Sequence, residues 1–470
     1  MDTPAIPDII AFLSAADPEV LEQMGEGALL EAFRSAAAEV PAYRDMLEKR
    51  RVDPSTVTDV AAFRVSAPIL DKRIFSEYRV EQLCRGGSLK PVKAVIPSSG
   101  HSGVFAFNVE TFENVKGGTT LADLALEYCL RVSEKPTFLV NTYPMGLQVP
   151  TALPSANTGV NADVALAIIK TFAPKFEQLV IVSQPVFAKK LIEDGLEQGI
   201  DWARLGTTLV TGGEGFVESW RTYMSGLMGI TDPDRPSGRF VGSSMGVGEL
   251  AVNLFHETPD TMAVIRRAYR DRKFRAALLG VETDQCPHLF VYYPMRTFIE
   301  ELPVDGVAGG ELAVSMSGLD NHMPFLRYRT GDLVRIVPYR RLQQVLAEHA
   351  PDVAAPTLKL PLVAVFGRTY GLQIGNRRVS AEQVKEALFA HPEVASATTG
   401  FFRATESGGQ LAVEVQLRAG RQVTSDVTDR LASALGSALP GVRLGRLRLF
   451  GFREFPHEVT YERKYAYIPR

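Results

Sequence analysis

The sequence predicts an α/β protein: a large multi-sheet N-terminal domain over residues 1–366, then a small α+β C-terminal domain over residues 367–470. Three observations lead there. A chain of 470 residues is longer than one hydrophobic core usually serves, so two or more domains are expected. Between about residues 90 and 330, apolar strand-like runs alternate with amphipathic helical runs, the pattern of a largely parallel sheet. After about residue 290 the strands shorten, which reads as a more antiparallel appendage.

Taken in order, residues 17 to about 50 read as two helices. Leu21, Met24, Leu29, Phe33 and Ala37 fall near helical spacing, Asp17 is placed to cap with Pro18 behind it, and a second short helix follows Pro41. "PTFLVNTY", "QLVIVS", "TTLVTGG" and "RFVGSS" read as strands, with "ADVALAIIKTFAP", "PVFAKKLIEDGLEQG" and "VESWRTYMSGLM" as helices between them. "LFVYYP", "GELAVSMS" and "DLVRIVPY" supply the later strands. In the last hundred residues, "SAEQVKEALFAHPEV" is an amphipathic helix with Ser380 as N-cap, and "SDVTDRLASALGSAL" is another. "QLAVEVQLRAG" and "GRLRLFGF" are the strands of that unit. Trp202 and Trp220 sit in helical contexts and read as packing residues. The basic run Arg266 to Arg275, with Asp271 inside it, reads as a solvated helix face.

Composition narrows the function. The 51 basic and 54 acidic side chains leave a net charge of −3, and the pI is near 6.2. Neither nucleic acid nor an anionic membrane is expected as the main partner. Cys84, Cys129 and Cys286 are odd in number and far apart, which argues for reduced thiols. Cys286-Pro-His288 alone is too small a donor set for zinc. The first residues carry acids and prolines without a basic leader, and no apolar run approaches the roughly 20 residues that cross a bilayer. A cytoplasmic protein is the expectation.

Three glycine-rich segments compete as sites. "IPSSGHSGV", residues 96–104, lies between β-formers and holds more hydroxyls and unhindered amides than a hairpin needs. Such a turn forms an anion-binding nest, though no Gly-Lys-[Ser/Thr] follows to make a Walker loop. Gly242-Ser-Ser-Met-Gly246 fits G-x-S-x-G, which would make Ser244 a hydrolase nucleophile if an acid and one of His256, His288 or His322 joined it. Gly246-Val-Gly248-Glu-Leu-Ala251 overlaps it and fits G-x-G-x-x-A, which requires a following helix and an acid about 20 residues on.

Read together, the segments resemble one family. "FLRYRTGDLVRI" (325–336) looks like the R-Y-x-T-G-D signature of the adenylate-forming, or acyl-CoA synthetase, superfamily. "PSSGHSG" resembles its S-S-G-T-T-G phosphate loop, while "TGGEGF" (211–216) and "SSMGVGEL" (243–250) fall where it has G-[GA]-E and Y-G-x-[ST]-E. The stretch from "VPAYRDMLEKRRVD" to "DKRIFSEY" is similar to the opening of phenylacetate–CoA ligases, and "GRTYGLQIGNRRVSAEQVKEAL" to the start of their mobile C-terminal domain. The resemblance covers nearly the whole chain and absorbs the two overlapping decoys into one segment.

The resemblance implies ATP-dependent activation of a small, aromatic or apolar carboxylic acid as an acyl-adenylate, then transfer to a thiol such as coenzyme A. It implies that Ser98, Ser99, Gly100, Ser102 and Gly103 cradle the ATP phosphates, with His101 adding a donor. Gly213, Glu214, Met245 and Gly246 would line adenine, Glu249 would help hold Mg²⁺, Asp332 would accept from the ribose hydroxyls, and Arg368 would bridge ribose and phosphate. Tyr143, Phe187 and Gly212 would border the acid. Lys464 is the nearest equivalent of the adenylation lysine, six places from the end where chains often fray. Plainer roles stay open: Asp332 as a turn cap, Glu249 as a helix-start acid, Lys464 as a surface lysine.

Departures from the family pattern keep alternatives in view. Val104 stands where a lysine is common, and Gly367-Arg-Thr-Tyr-Gly371 lacks the usual hinge acid. An amine, a carrier-protein thiol or an unusual anion such as nitrite therefore remains as acceptor or acid. A Ser244 hydrolase and a non-catalytic nucleotide binder remain as readings of other classes. A homodimer is compatible with the sequence, but nothing in it selects an oligomeric state.

Overall fold

The computed structural model describes residues 5–97, 106–232, 238–304, 309–368 and 371–469. Its contacts divide the chain into two compact units: Met1–Val132 with Val149–Ala152 and Ser244–Phe366, and Ser133–Gln148 with Leu153–Ser243 and Gly367–Arg470. Residues 367–470 thus cluster with residues 133–148 and 153–243.

The first unit opens with helices Ile6–Ala15, Pro18–Glu39 and Pro41–Lys49. As the sequence predicts, Asp17 caps the second by accepting from the Glu19 amide, and proline begins it. The strands follow in the order Thr297–Pro303, Gly310–Met316, Tyr328–Val337, Leu362–Arg368, His288–Val291 and Ala251–His256. The pairings that join Gly310–Met316 to both its neighbours are antiparallel, as expected for this region. Phe33, Tyr43, Phe63, Leu312 and Tyr328 centre one core of this unit, and Ile265, Phe274, Leu342 and Leu362 centre another. A separate hairpin pairs Ala94–Pro97 with Phe107–Glu110, so Pro97 faces Phe107. It brings together the two ends of the glycine–serine stretch; Ser98 to Gly103, His101 included, lies outside the described residues.

In the second unit, Thr137–Asn141, Gln178–Ser183 and Thr207–Thr211 form parallel neighbours, with Ser155–Asn157 at the edge. Helices Ala162–Phe172, Pro185–Glu197 and Glu218–Leu227 connect them, in agreement with the sequence alternation. Gln178–Ser183 is buried at every position, the signature of a strand covered on both faces. The last hundred residues add the strands Thr398–Ser407, Gln410–Leu417 and Leu444–Phe450. They also contribute helices Ala381–Phe389, Pro392–Ala397 and Ser425–Ala438. Ser380 closes a capping box with Gln383. Leu388 and Phe389 belong to the same apolar cluster as Phe187, Trp220 and Met224, which explains why this segment does not separate by contacts.

The chain passes between units along the strand Val241–Val247. Val241, Gly242 and Ser243 pair parallel with Leu209, Val210 and Thr211, and Ser244, Met245 and Val247 pair antiparallel with His256, Phe255 and Ala251.

Some local expectations need correction. Arg266 and Arg275 are buried, not solvated: Arg275 donates to the carbonyls of Thr283 and Ala268, so its guanidinium is satisfied inside. Trp202 lies in a turn and not in a helix, with its indole N–H on the Ile192 carbonyl. The tail does not fray, because Tyr467 and Ile468 are buried and the Ala404 amide donates to the Tyr467 carbonyl. The three cysteines are free. Among the described residues no helix is long and apolar enough to cross a membrane.

Candidate functional site

In the first unit, the "RTGD" residues sit on the strand Tyr328–Val337 and interrupt its ladder. Glu311 pairs with Leu333 while Ala313 pairs with Arg329, so between these pairs one residue on one strand opposes three on the other. Gly331 makes this bulge feasible: its φ of 80° lies where a side chain would clash. The bulge re-aims Asp332, which is 6% exposed and whose amide donates to Thr330 Oγ1 at 3.2 Å.

Glu249 follows the strand Val241–Val247 in a three-residue turn before Ala251–His256. It is buried, accepts from the Tyr328 hydroxyl at 2.7 Å and lies 3.7 Å from Lys72 Nζ. Lys72 arrives there because Leu70 bridges to Tyr328, exchanging backbone bonds with Arg327 and Arg329. Sequence reasoning missed this lysine, because nothing local in "DKRIFSEY" marks a partner 177 residues on.

The strand–turn–strand geometry also removes the two decoys. A dinucleotide fingerprint needs a helix after its glycines and a hydrolase elbow needs one after its serine, and here a strand follows both. Ser244 Oγ donates to Asn253 at 3.0 Å. His256 is buried against Tyr293, and that burial pulls its pKa down to about 4.

In the second unit, Gly212, Gly213 and Glu214 follow the strand Thr207–Thr211. The Gly212 amide donates to the Ser183 carbonyl, and Gly213 takes φ 85°, a conformation that glycine alone adopts freely. Glu214 is held from the last hundred residues. Its carboxylate accepts from Tyr467 OH at 3.3 Å and faces Lys385 Nζ at 3.6 Å. Lys385 also donates to the Gly215 carbonyl at 3.1 Å and lies 4.3 Å over the Tyr467 ring. Burial, reinforced by the Glu214 carboxylate, raises the Tyr467 phenol well above its usual pKa.

Glu214, Gly215, Lys385 and Tyr467 line a narrow pocket with Pro185, Lys189 and Trp220. Lys189 is buried and bonds Glu193 at 2.7 Å and the Thr398 carbonyl at 2.6 Å. Burial lowers its pKa to about 8 against the opposing pull of Glu193.

The other expected site residues are spread over both units. Met245 and Gly246 lie on the strand Val241–Val247, half-buried. Tyr143 is buried, and Phe187 packs as a core residue edge-on to Tyr461. Arg368 is exposed at the end of its strand, and Lys464 is half-buried in the tail.

Against known proteins, no family model matches the sequence and no curated protein does. Solved structures do match. A 2-hydroxyisobutyryl-CoA ligase in the postadenylation state with 2-HIB-AMP matches with a TM-score of 0.68 at 13% identity, over 94% of this chain and 88% of that one. The protein has the fold of the adenylate-forming ligases. The same 2-hydroxyisobutyryl-CoA ligase with 2-HIB-AMP and CoA, in its thioesterification state, matches with a TM-score of 0.57 at 14% identity, over 97% and 90%. An anthranilate CoA ligase with anthranoyl-AMP matches with a TM-score of 0.50 at 11% identity, over 96% and 79%. At these identities it is the adenylate-forming fold that is shared, and chemistry must be argued from the residues.

Proposed function

We propose that this protein is an ATP-dependent, AMP-forming acid–thiol ligase of the phenylacetate–CoA ligase type. The observation that carries the reading is the glycine-dependent bulge that presents buried Asp332, in a chain with the adenylate-forming fold. A carboxylate accepts without donating, which suits both hydroxyls of a ribose.

In this reading, the substrate's carboxylate oxygen attacks the α-phosphorus of ATP, pyrophosphate leaves, and an acyl-adenylate remains. A thiol then attacks the acyl carbon and releases AMP; coenzyme A is the proposed acceptor. Since two anions must meet, the protein acts by positioning and by neutralising charge. Asp332 holds the ribose, Arg368 bridges ribose and phosphate, and the turn with Gly213 and Glu214, together with Met245 and Gly246, lines adenine. Ser98 to Gly103 cradle phosphate with His101. Lys464 approaches the reacting carboxylate, and Tyr143, Phe187 and Gly212 border a small apolar or aromatic acid.

Magnesium fits this chemistry. It needs only one or two carboxylates when phosphates supply the other oxygens. Among the described residues no cluster of three metal-binding side chains occurs, whereas Glu249 offers one buried carboxylate. Glu249 would hold the ion, which would neutralise charge on the phosphates. Tyr328 orients that carboxylate, and Lys72 balances it before the metal arrives.

In this reading residues 367–470 form the lid between half-reactions, with the hinge in the segment from Gly367 to Gly371; Gly371 would absorb the swing, and Gly367 takes φ 101°. Such motion would part Leu388 and Phe389 from the Trp220 core.

The test is ATP–pyrophosphate exchange with Mg²⁺ across a panel of carboxylic acids. Stimulation by a cognate acid, abolished by Asp332→Ala, is expected; no exchange with any acid overturns the proposal. Adenylate formation without a thioester when coenzyme A is supplied would move the acceptor to an amine or a carrier-protein thiol.

A further inference from the structure

Glu214 occupies the position that the family resemblance assigns to adenine contact, yet its carboxylate is already engaged. Tyr467 OH donates to one oxygen at 3.3 Å, and Lys385 Nζ lies 3.6 Å from the other. Lys385 binds the same turn a second time through the Gly215 carbonyl at 3.1 Å, and its ammonium sits on the Tyr467 ring at 4.3 Å. The Lys385 side chain is 9% exposed and that of Glu214 14%, so solvent weakens these bonds little. The neighbouring helix reinforces the attachment, since Ser219 Oγ donates to the Glu386 carbonyl at 3.2 Å.

Within the turn itself, the Gly212 amide donates to the Ser183 carbonyl at 3.1 Å. Gly212, Gly213 and Gly215 surround Glu214, and three glycines in four residues leave the backbone with the widest conformational choice available to a chain. A wall made of such a segment needs an external restraint to keep one shape.

We propose that Lys385 and Tyr467 are positioning residues for this turn, and that Glu214 is the handle they grip and not a reader of the base. The wall that receives adenine is then completed by the last hundred residues, and nucleotide binding is coupled to their seating. This rests on the functional reading above and extends it.

The test uses the whole protein: calorimetric titration with AMP, together with exchange kinetics in ATP and in pyrophosphate. Lys385→Met should weaken AMP binding and raise the KM for ATP by roughly five- to tenfold, the effect of losing a charge-assisted bond. The kcat for exchange and the KM for pyrophosphate should move less than about twofold, because the substitution disturbs only the adenine wall. Lys385→Arg should recover most of the loss, and Tyr467→Phe should show a smaller loss. In the pair Glu214→Gln and Lys385→Met, the double variant should bind AMP no worse than the poorer single one.

A folded Lys385→Met that lowers only the melting temperature, with AMP affinity unchanged, overturns the proposal. Effects of the two substitutions that multiply overturn it as well. Failure of the unsubstituted protein to bind AMP or ATP is a separate result, which defeats the functional reading and this extension together.

Discussion

Arg327 opens the "RYRTGD" motif, and its replacement by methionine should cost stability while sparing the chemistry. The residue is 6% exposed. Its guanidinium forms a fork with Glu300 at 3.0 and 3.2 Å and donates to the carbonyls of Ala67 at 2.9 Å and Arg64 at 2.5 Å. Methionine keeps the apolar stem but removes four bonds and leaves Glu300 buried. The nearest remaining cation, Arg64, stands 3.7 Å away and is mostly exposed. Stranding one partner of a buried pair costs roughly 3–5 kcal/mol. Arg64 moving inward would relieve part of this, and the two unmet carbonyls would add to it, so the middle of that range is expected.

For a unit of about 260 residues a kcal/mol is worth about 2 °C, so scanning calorimetry should show a fall of roughly 6–10 °C. Adding Glu300→Leu should return part of it, since the stranded charge is then gone. Exchange per folded molecule, assayed well below the transition, should stay within about threefold of the parent. A fall under 2 °C, or exchange lost in a protein still folded, would refute the division of this motif into a structural arginine and a functional aspartate.

Three further outcomes follow from the geometry. Gly331→Ala should destabilise by about 1–2 kcal/mol, because φ 80° suits only glycine, and should weaken ATP binding by displacing Asp332; unchanged ATP affinity would separate bulge from site. His256 is held neutral, with its pKa lowered to about 4 against an unfolded value near 6.5, so its contribution is intact above pH 6.5 and is lost as pH falls through 4. The loss amounts to roughly 3 kcal/mol, and denaturant titrations from pH 7 to 4 should show a smaller acid loss in His256→Phe. Lys72→Met removes the cation beside Glu249, so the Mg²⁺ needed for half-maximal exchange should fall about three- to tenfold; an unchanged or higher requirement contradicts that pairing.

Much of this protein could be read from its residues in order. The alternation of apolar strands with capped helices is a local property, because periodicity, proline and N-caps act within a few residues, and so the main strands and helices from Thr137 to Leu227 read correctly, though not the edge strand Ser155–Asn157 or the turn at Trp202. The glycines of "RTGD" and "TGGEG" were visible for a related reason: left-handed backbone demands them, and Gly331 and Gly213 take that conformation. Long-range pairing decided the rest. Whether Gly246 to Ala251 continues as a helix or turns back as a strand depends on the register with Phe255 and His256, which no local pattern encodes. Lys72 meets Glu249 only because Leu70 bridges to a strand more than 250 residues later. Glu214 is gripped by Lys385 and Tyr467 because helix Ala381–Phe389 packs on Glu218–Leu227. Local chemistry chose the elements; the partners of the charged side chains were chosen by which elements the apolar cores brought together.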